Sequence, residues 1–169
     1  MSDSETAASK PAVPAPAVGF DPLAVKSRKG SSYPDAFRGV VGEREKRALG
    51  DAAGLTQFGV NLVHLPPGAW SAQRHWHTGE DEFVYLVAGE LTLVTEAGEQ
   101  RLKAGMTAGF PAGHRDGHHL VNRSGATAIY LEIGTRSDRD ECHYPDIDLH
   151  LKPDAAGEPL WLHKDGRAY

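Results

Sequence analysis

Residues 74–82 read Arg-His-Trp-His-Thr-Gly-Glu-Asp-Glu, and the interpretation of the whole chain rests on this short segment. Side chains alternate along a β-strand, so His75 and His77 lie on one face and Trp76 on the other if the segment is extended. A turn of four residues then leads to Glu82, which begins the next strand. Imidazole and carboxylate groups that converge on one point are metal ligands, so the segment predicts a metal site.

The remaining ligand positions have several candidates. Glu80 and Asp81 are rivals of Glu82, but they fall in the turn and are less well directed. A fourth ligand is expected from residues 113–119, which contain three histidines: His114, His118 and His119. Adjacent residues on a strand point to opposite faces, so only one of His118 and His119 can face the site. The residues themselves leave this choice open.

The composition is that of a globular protein with one domain. The 169 residues are 40% hydrophobic and 24% charged, with a formal net charge of −5. This negative charge, without a basic cluster or a DNA-binding helix pair, argues against a nucleic-acid partner. No run of about 18 apolar residues is present, so no membrane partner is predicted. The single cysteine, Cys142, allows no intrachain disulfide, and we interpret it as an unreactive thiol.

Differences in composition divide the chain into four parts. Residues 1–18 are rich in Ser, Ala and Pro and are predicted to form a disordered tail. Residues 19–57 are interpreted as an N-terminal arm, with one helical turn predicted at residues 44–49. Residues 58–135 are predicted to form a β-barrel, and residues 136–169 a C-terminal arm that packs back on it.

The barrel prediction follows from short apolar segments separated by Gly and Pro. The predicted strands cover residues 58–65, 82–88, 91–95, 100–102, 107–110, 118–122 and 126–133. Such strands, about ten residues apart and without a long amphipathic helix, are typical of an all-β sandwich or barrel. In the second of them, Val84, Leu86 and Ala88 are expected to face inward with Glu82. Phe83, Tyr85 and Val87 are expected to face outward.

The segment around Glu82 resembles the first motif of the cupin superfamily. That motif reads Gly, five residues, His-x-His, three or four residues, Glu, six residues, Gly. Here Gly68 is followed by six residues, His75-Trp-His77, four residues, Glu82, six residues and Gly89. The one departure is an extra residue after Gly68.

Residues 105–122 resemble the second cupin motif, which reads Gly, five residues, Pro-x-Gly, two residues, His, three residues, Asn. Here Gly105 is followed by five residues, Pro111-Ala-Gly113, four residues, His118, three residues and Asn122. The two extra residues after Gly113 leave room for His114, but the spacing to Asn122 in the family motif selects His118 as the ligand. His119 then becomes its outward-facing neighbour.

The resemblance implies an all-β double-stranded β-helix, the cupin jelly-roll barrel, between the extended N- and C-terminal arms predicted from the composition. It also implies that His75, His77, Glu82 and His118 hold one divalent metal ion: zinc, iron, nickel or manganese. The segments 80–85, 110–113 and 118–123 further resemble compact single-domain microbial cupins described as sugar-phosphate isomerase-like.

The favoured function is that of a metal-dependent enzyme acting on a small polar metabolite, of isomerase or lyase type. The alternatives are a ferrous-iron dioxygenase and a non-catalytic cupin that binds or senses a small molecule. An isomerase of phosphorylated sugars needs cations facing the pocket, and the sequence does not place Arg101, Arg115 or Arg123 there. The catalytic base is not identified.

Two further expectations concern assembly and location. A barrel with open sheet edges and an apolar outer face, flanked by arms with isolated apolar anchors, favours a homodimer. A cytoplasmic location is expected, because the N-terminus shows no secretory signal and the chain has no disulfide.

Overall fold

The computed structural model describes residues 18–169, so the predicted tail lies outside the described residues except for its last one. The strands are β1 (Arg28–Lys29), β2 (Glu45–Ala48), β3 (Phe58–Leu65), β4 (Trp76–His77), β5 (Glu82–Ala88), β6 (Glu90–Thr95), β7 (Gly98–Lys103), β8 (Thr107–Phe110), β9 (His119–Val121), β10 (Ala128–Thr135), β11 (Cys142–Tyr144), β12 (Leu149–Pro153) and β13 (Pro159–Leu162). The helical turns are α1 (Asp35–Arg38) and α2 (Leu49–Ala52), with 3-10 turns at Pro22–Ala24 and Gly39–Val41. In this part of the chain no helix has the length and apolar character to cross a membrane.

The strands form three sheets, and the predicted all-β double-stranded β-helix is confirmed. The largest sheet has the order β1-β2-β3-β10-β5-β8, and the sheet β7-β6-β9 closes the barrel opposite it. Their inner side chains make one core: Val63, Leu65, Ala69, Val84, Leu86, Leu91, Leu93, Leu102, Leu120, Ala128 and Tyr130. The third sheet, β13-β12-β11-β4, joins the C-terminal segment to the strand that carries His77.

The strongly patterned strands were predicted best. β3, β5 and β8 have the bounds that the sequence predicts. On β5 the alternation is also confirmed, since Val84 and Leu86 are buried whereas Phe83 and Tyr85 are 42% and 40% exposed. The turn after β5 requires Gly89: its φ is +80°, and a Cβ there would lie 3.0 Å from the Ala128 Cα.

The helical turn predicted at residues 44–49 is wrong. Residues 45–48 form β2, which pairs antiparallel with β3 from Glu45–His64 to Ala48–Asn61. The helical turn α2 begins only at Leu49. The exposed edge of β3 offers backbone partners to this segment, and a tertiary ladder of this kind overrides a weak local helix propensity.

A second, smaller core joins the segment before β2 to the segment after β10. Its buried members are Tyr33 and Val41 from the N-terminal arm and Cys142, Tyr144 and Leu149 from the C-terminal segment. The ring of Tyr33 lies edge-on to Tyr144, with 5.7 Å between the centroids. Tyr144 of this core stacks on His75, with 5.8 Å between the centroids, so the core lies beside the histidines of residues 74–82.

Candidate metal centre

The four predicted ligand side chains lie together at one end of the barrel. Glu82 Oε2 is 2.8 Å from Nε2 of His118. The same oxygen is 3.6 Å from Nε2 of His75 and 3.6 Å from Nε2 of His77. All four side chains are at least three-quarters buried, and the most exposed, that of Glu82, retains 21% of its accessible surface. The structure thus assembles a compact group of three imidazoles and one carboxylate.

Backbone pairing explains why these residues converge. His75 and His118 form an antiparallel bridge, in which each backbone N–H donates to the other carbonyl at 3.1 Å and 2.8 Å. Directly opposed residues on antiparallel strands project their side chains to the same face. His77 follows His75 by two residues and shares that face, and Trp76 between them faces the other way.

Neighbouring groups fix the orientation of the rings. Nδ1 of His77 is 2.5 Å from an Asp140 carboxylate oxygen, and Nδ1 of His75 donates to the Gln73 carbonyl at 2.8 Å. These bonds occupy Nδ1 and leave Nε2 for the site, which is how metal-binding histidines are usually held. The ring of His118 is stacked on Phe110 with 3.5 Å between centroids.

The rival ligands have other partners. Glu80 and Asp81 accept backbone hydrogen bonds, from the N–H of Ser137 and of Ala112 respectively, each at 2.8 Å. His114 is exposed. His119 is only 6% exposed, and it lines the same cavity as His75, Glu82 and His118. Its Nδ1 donates to the Ala72 carbonyl at 3.0 Å.

Cys142 was not recognised from the sequence as a neighbour of the site. Its Sγ and the ligand nitrogens of His75 and His77 lie within 4.8 Å of one another, so these three residues could also hold a metal. Burial raises the pKa of the Cys142 thiol well above its ordinary value, which keeps it protonated and makes it a poorer ligand than Glu82. Asp140, Cys142 and Tyr144 alternate along an extended segment and therefore share one face. This pattern could have predicted from the sequence that Cys142 lies near the histidines.

The pKa shifts of Glu82 and His118 favour cation binding, whereas that of His77 opposes it. Burial raises the pKa of the Glu82 carboxyl, but the contacts with His118 and His75 outweigh burial and hold that pKa well below its ordinary value. Burial, opposed by the contact with Glu82, lowers the pKa of His118. Burial also acts to lower the pKa of His77, but Asp140 and the charge of Glu82 outweigh it and raise that pKa. An ionised carboxylate beside a neutral imidazole is the state that metal binding requires.

The donor separations also fit a metal ion. Ligand atoms about 2.0–2.2 Å from a common metal lie roughly 3.0–3.5 Å from one another in octahedral or tetrahedral arrangements. The separations from Glu82 Oε2, 2.8 Å and 3.6 Å, bracket that range. In addition, Nδ1 of His118 and the hydroxyl of Tyr130 are buried without a hydrogen-bond partner among the described residues. The residues therefore fit one divalent ion, for which His75, His77, Glu82 and His118 would be the ligands.

A cavity of about 180 Å³ opens from this group into the barrel. Beside the histidines, its wall includes Tyr33, Arg44, Lys46, Tyr130 and Glu132. Lys46 Nζ lies 2.5 Å from Glu132 Oε1, and Arg44 donates to the Ser71 carbonyl. Arg44 and Lys46 thus line the same cavity as His75, Glu82 and His118.

The three arginines considered from the sequence lie elsewhere. Arg101 and Arg123 pair with Glu90 and Glu99 on the surface, and their side chains are 66% and 57% exposed. The guanidinium of Arg115 lies 5.7 Å from the centre of the Trp76 ring. The signal that was missed is the order Arg-Glu-Lys-Arg at residues 44–47, because on a strand this order places Arg44 and Lys46 on one face.

Comparison with known proteins identifies the family. The sequence profile of the cupin domain matches residues 61–134. A crystal structure from Silicibacter pomeroyi, described as a sugar phosphate isomerase from a cupin superfamily, is 43% identical with a TM-score of 0.85. The alignment covers 89% of this chain and 96% of that one. The chain belongs to the cupin superfamily.

Two other relatives of this cupin are less similar. A proposed sugar phosphate isomerase from Acidithiobacillus ferrooxidans is 32% identical with a TM-score of 0.68, over 75% of this chain and 80% of that chain. The tetracenomycin polyketide synthase protein TcmJ of Streptomyces glaucescens is 27% identical over 106 residues. That match covers 62% of this chain and 69% of the Streptomyces protein.

Proposed function

We propose that this cupin is a metal-dependent isomerase of a small, negatively charged sugar derivative such as a sugar phosphate. The observation that carries the proposal is the pair of cations, Arg44 and Lys46, on the wall of the cavity that contains the proposed metal ligands. A phosphate group requires such cations, and they are available only because residues 45–48 form a strand.

The charge of the cavity supports an anionic substrate. The cations Arg44 and Lys46 are balanced by the carboxylates of Glu82 and Glu132. A bound divalent ion would leave the cavity with a net positive charge. In a cavity of low dielectric constant this charge attracts an anion more strongly than it would in water.

The size of the cavity supports a small metabolite. Its volume of about 180 Å³ is smaller than the roughly 300–1,000 Å³ of sites for drug-sized ligands. A polyketide, the kind of product named for the Streptomyces relative, is a poor match for this volume. A sugar phosphate isomerase activity, as in the descriptions of the two similar crystal structures, agrees with it better.

The chain supplies groups that can bind oxygen atoms and move protons. A divalent ion held by His75, His77, Glu82 and His118 would polarise a carbonyl or hydroxyl oxygen of the substrate. Charges from Lys46 and Arg44 outweigh burial and lower the pKa of Glu132, so its carboxylate is ionised and can accept a proton.

Tyr130 offers a second polar group in the cavity. It is fully buried, and its hydroxyl has no partner in the part of the chain that the structure describes. A buried hydroxyl without a partner costs free energy, and a hydrogen bond to a substrate oxygen would recover that cost. We assign Tyr130 to substrate binding in this proposal.

Proton exchange tests the proposed reaction. Metal-loaded protein is incubated in D₂O with a panel of aldose and ketose phosphates, and proton NMR follows the carbon next to the carbonyl. An isomerase that moves a proton through a base incorporates solvent deuterium there and forms the isomeric sugar. Lys46→Met should weaken use of phosphorylated substrates, whereas Lys29→Met is the matched control, because Lys29 is exposed and pairs with Glu43.

Other outcomes identify the alternatives. Oxygen consumption by the ferrous protein with no isomer formed would instead indicate a dioxygenase. Saturable binding of a sugar phosphate without deuterium incorporation or product would indicate a binding or sensing protein. Either result contradicts the isomerase proposal.

A further inference from the structure

The face of β11 that points away from the proposed metal centre carries a second group of metal-binding side chains. Glu141 and His143 are two residues apart and lie on this outer face. His150 on β12 is the direct cross-strand partner of His143. Opposed residues on antiparallel strands share a face, so these three side chains form one cluster.

The distances within the cluster are those of potential metal ligands. Glu141 Oε2 lies 2.9 Å from Nε2 of His150 and 3.9 Å from Nε2 of His143. One ligand atom from each residue can be chosen so that all three lie within 4.8 Å of one another. Three ligands of one zinc ion lie roughly 3.3 Å apart when each bond is about 2.0–2.1 Å long. Small side-chain adjustments would bring the cluster to that spacing.

We propose that Glu141, His143 and His150 form a second site for a divalent transition-metal ion. Two imidazoles and one carboxylate suit zinc, nickel or copper better than magnesium or calcium, which prefer oxygen ligands. Three protein ligands leave coordination positions open, and a surface groove bordered by Leu149 and Lys164 gives access to them. The proposal does not rest on the isomerase function.

The second site is distinct from the inner centre because the sheet separates them. Side chains alternate along the strand, so Asp140 and Cys142 face the inner histidines, whereas Glu141 and His143 face outward. Trp76 belongs to the outer face as well, and its ring is stacked on His143 with 4.4 Å between centroids. The two groups of ligands therefore lie on opposite sides of the paired strands β4 and β11.

Binding requires a local rearrangement that can be observed. The rings of His143 and His150 are stacked, 4.4 Å apart and 18° from parallel, so their nitrogen lone pairs do not converge. Rotation of both rings about their side-chain torsions would turn the two Nε2 atoms toward one ion and change the stack on Trp76. A paramagnetic ion bound there also lies close enough to quench the fluorescence of that tryptophan.

The test counts zinc ions bound to metal-free protein by isothermal titration and elemental analysis after gel filtration. We expect His150→Asn to bind one equivalent fewer than the wild type. The matched control is His163→Asn: His163 also pairs with a carboxylate, Asp148, at 2.8 Å, but lacks a second histidine in that pair. This control should keep the wild-type stoichiometry. The difference in zinc stoichiometry between the wild type and His150→Asn counts the outer ion alone, whether or not the inner centre also binds zinc.

A second measurement uses copper or nickel and tryptophan fluorescence. The ion should quench the wild type, and the quenching should be reduced in both His150→Asn and Trp76→Phe. Circular dichroism confirms that each variant is folded. Equal zinc stoichiometry in the wild type and in folded His150→Asn would overturn the proposal. So would equal copper quenching in these two proteins.

Discussion

The inner and outer faces of the paired strands β4 and β11 each carry histidine side chains, in different settings. On the inner face, the His77 ring is held by a 2.5 Å contact with Asp140 and is largely buried. On the outer face, the His143 ring is held by stacking against Trp76 and His150, and its side chain is 35% exposed. A hydrogen bond to one ring nitrogen of a histidine fixes the direction of the other nitrogen. Stacking does not fix this direction, because a stacked ring can rotate and slide in its plane. The inner face is thus prepared for a ligand, and the outer face must adjust to one.

Removal of an inner ligand should have the largest effect. We expect His77→Ala to weaken metal binding at the inner centre by more than about 100-fold. Loss of a residue that only hydrogen-bonds to a metal ligand already lowers metal affinity by about 10–100-fold. Trp76→Phe changes the adjacent residue on the opposite face and should leave the inner affinity unchanged. Competition with a chelator of known affinity measures both. Full retention of inner metal by His77→Ala would show that the ligand assignment is wrong.

Loss of the orienting carboxylate should have an intermediate effect. Asp140→Asn keeps the shape of the side chain but removes the charge that orients His77, so inner metal affinity should fall by about 10–100-fold. Glu141→Gln is the control, because Glu141 is the next residue and faces outward. This variant should keep the wild-type metal affinity at the inner centre. An unchanged affinity in Asp140→Asn would show that the contact with His77 does not prepare that ligand.

The buried ion pair in the cavity predicts a pH dependence of stability. The pKa of Glu132 is lowered in the folded protein from its ordinary value of 4.5, so the unfolded chain binds the proton more tightly. Its contribution to stability is present above pH 4.5 and is lost as the pH falls through the lowered pKa. Glu132→Gln should lower the free energy of unfolding at neutral pH by about 1–3 kcal/mol.

Urea denaturation of metal-free protein at neutral and acidic pH measures this difference, which should shrink under acid. The control is Glu99→Gln, because the pair of Glu99 with Arg123 is exposed on the outer surface. Exposed pairs contribute about 0–1 kcal/mol, so this variant should differ little from wild type at either pH. A pH-independent loss of stability in Glu132→Gln would indicate a packing effect instead of a charge effect.

A substitution on the outer face of β5 tests the proposed homodimer. Its expected effect is the smallest of these, a twofold decrease in the molecular mass of the particle. Phe83, Tyr85 and Val87 are 40–46% exposed on a continuous apolar strip. We expect light scattering to show two chains for the wild type and one for Tyr85→Glu, because burial of a charge opposes association. Gln100→Glu, at an exposed position on β7, should remain dimeric. A monomeric wild type at micromolar concentration contradicts the proposal.

Local patterns in the sequence predicted the barrel and three of the four converging side chains. Alternation on β5 predicted which face of the strand is buried. The spacing of His75, His77 and Glu82 placed three predicted ligands on one short unit, whereas His118 was selected by the similarity to the family motif. Each of these inferences depends on residues close to one another in the sequence.

The surroundings of the centre could not be predicted in this way, because they depend on pairing between distant segments. His77 and Asp140 are 63 residues apart, and no local pattern connects them. Arg44 and Lys46 reach the cavity only when residues 45–48 pair with β3, and the interpretation of that segment as a helical turn concealed their shared face. The burial of His119 likewise follows from its packing against Trp70.

The pairing of β4 with β11 sets an order of events during synthesis. The ribosome releases the proposed ligands His75, His77, Glu82 and His118 well before it releases Asp140, which contacts His77, and β11, whose backbone pairs with β4. A nascent chain that ends after β10 has every ligand but lacks the partner that directs His77. Such long-range contacts form late, because loop closure must precede them. The proposed centre therefore reaches its final geometry only after β11 has paired with β4.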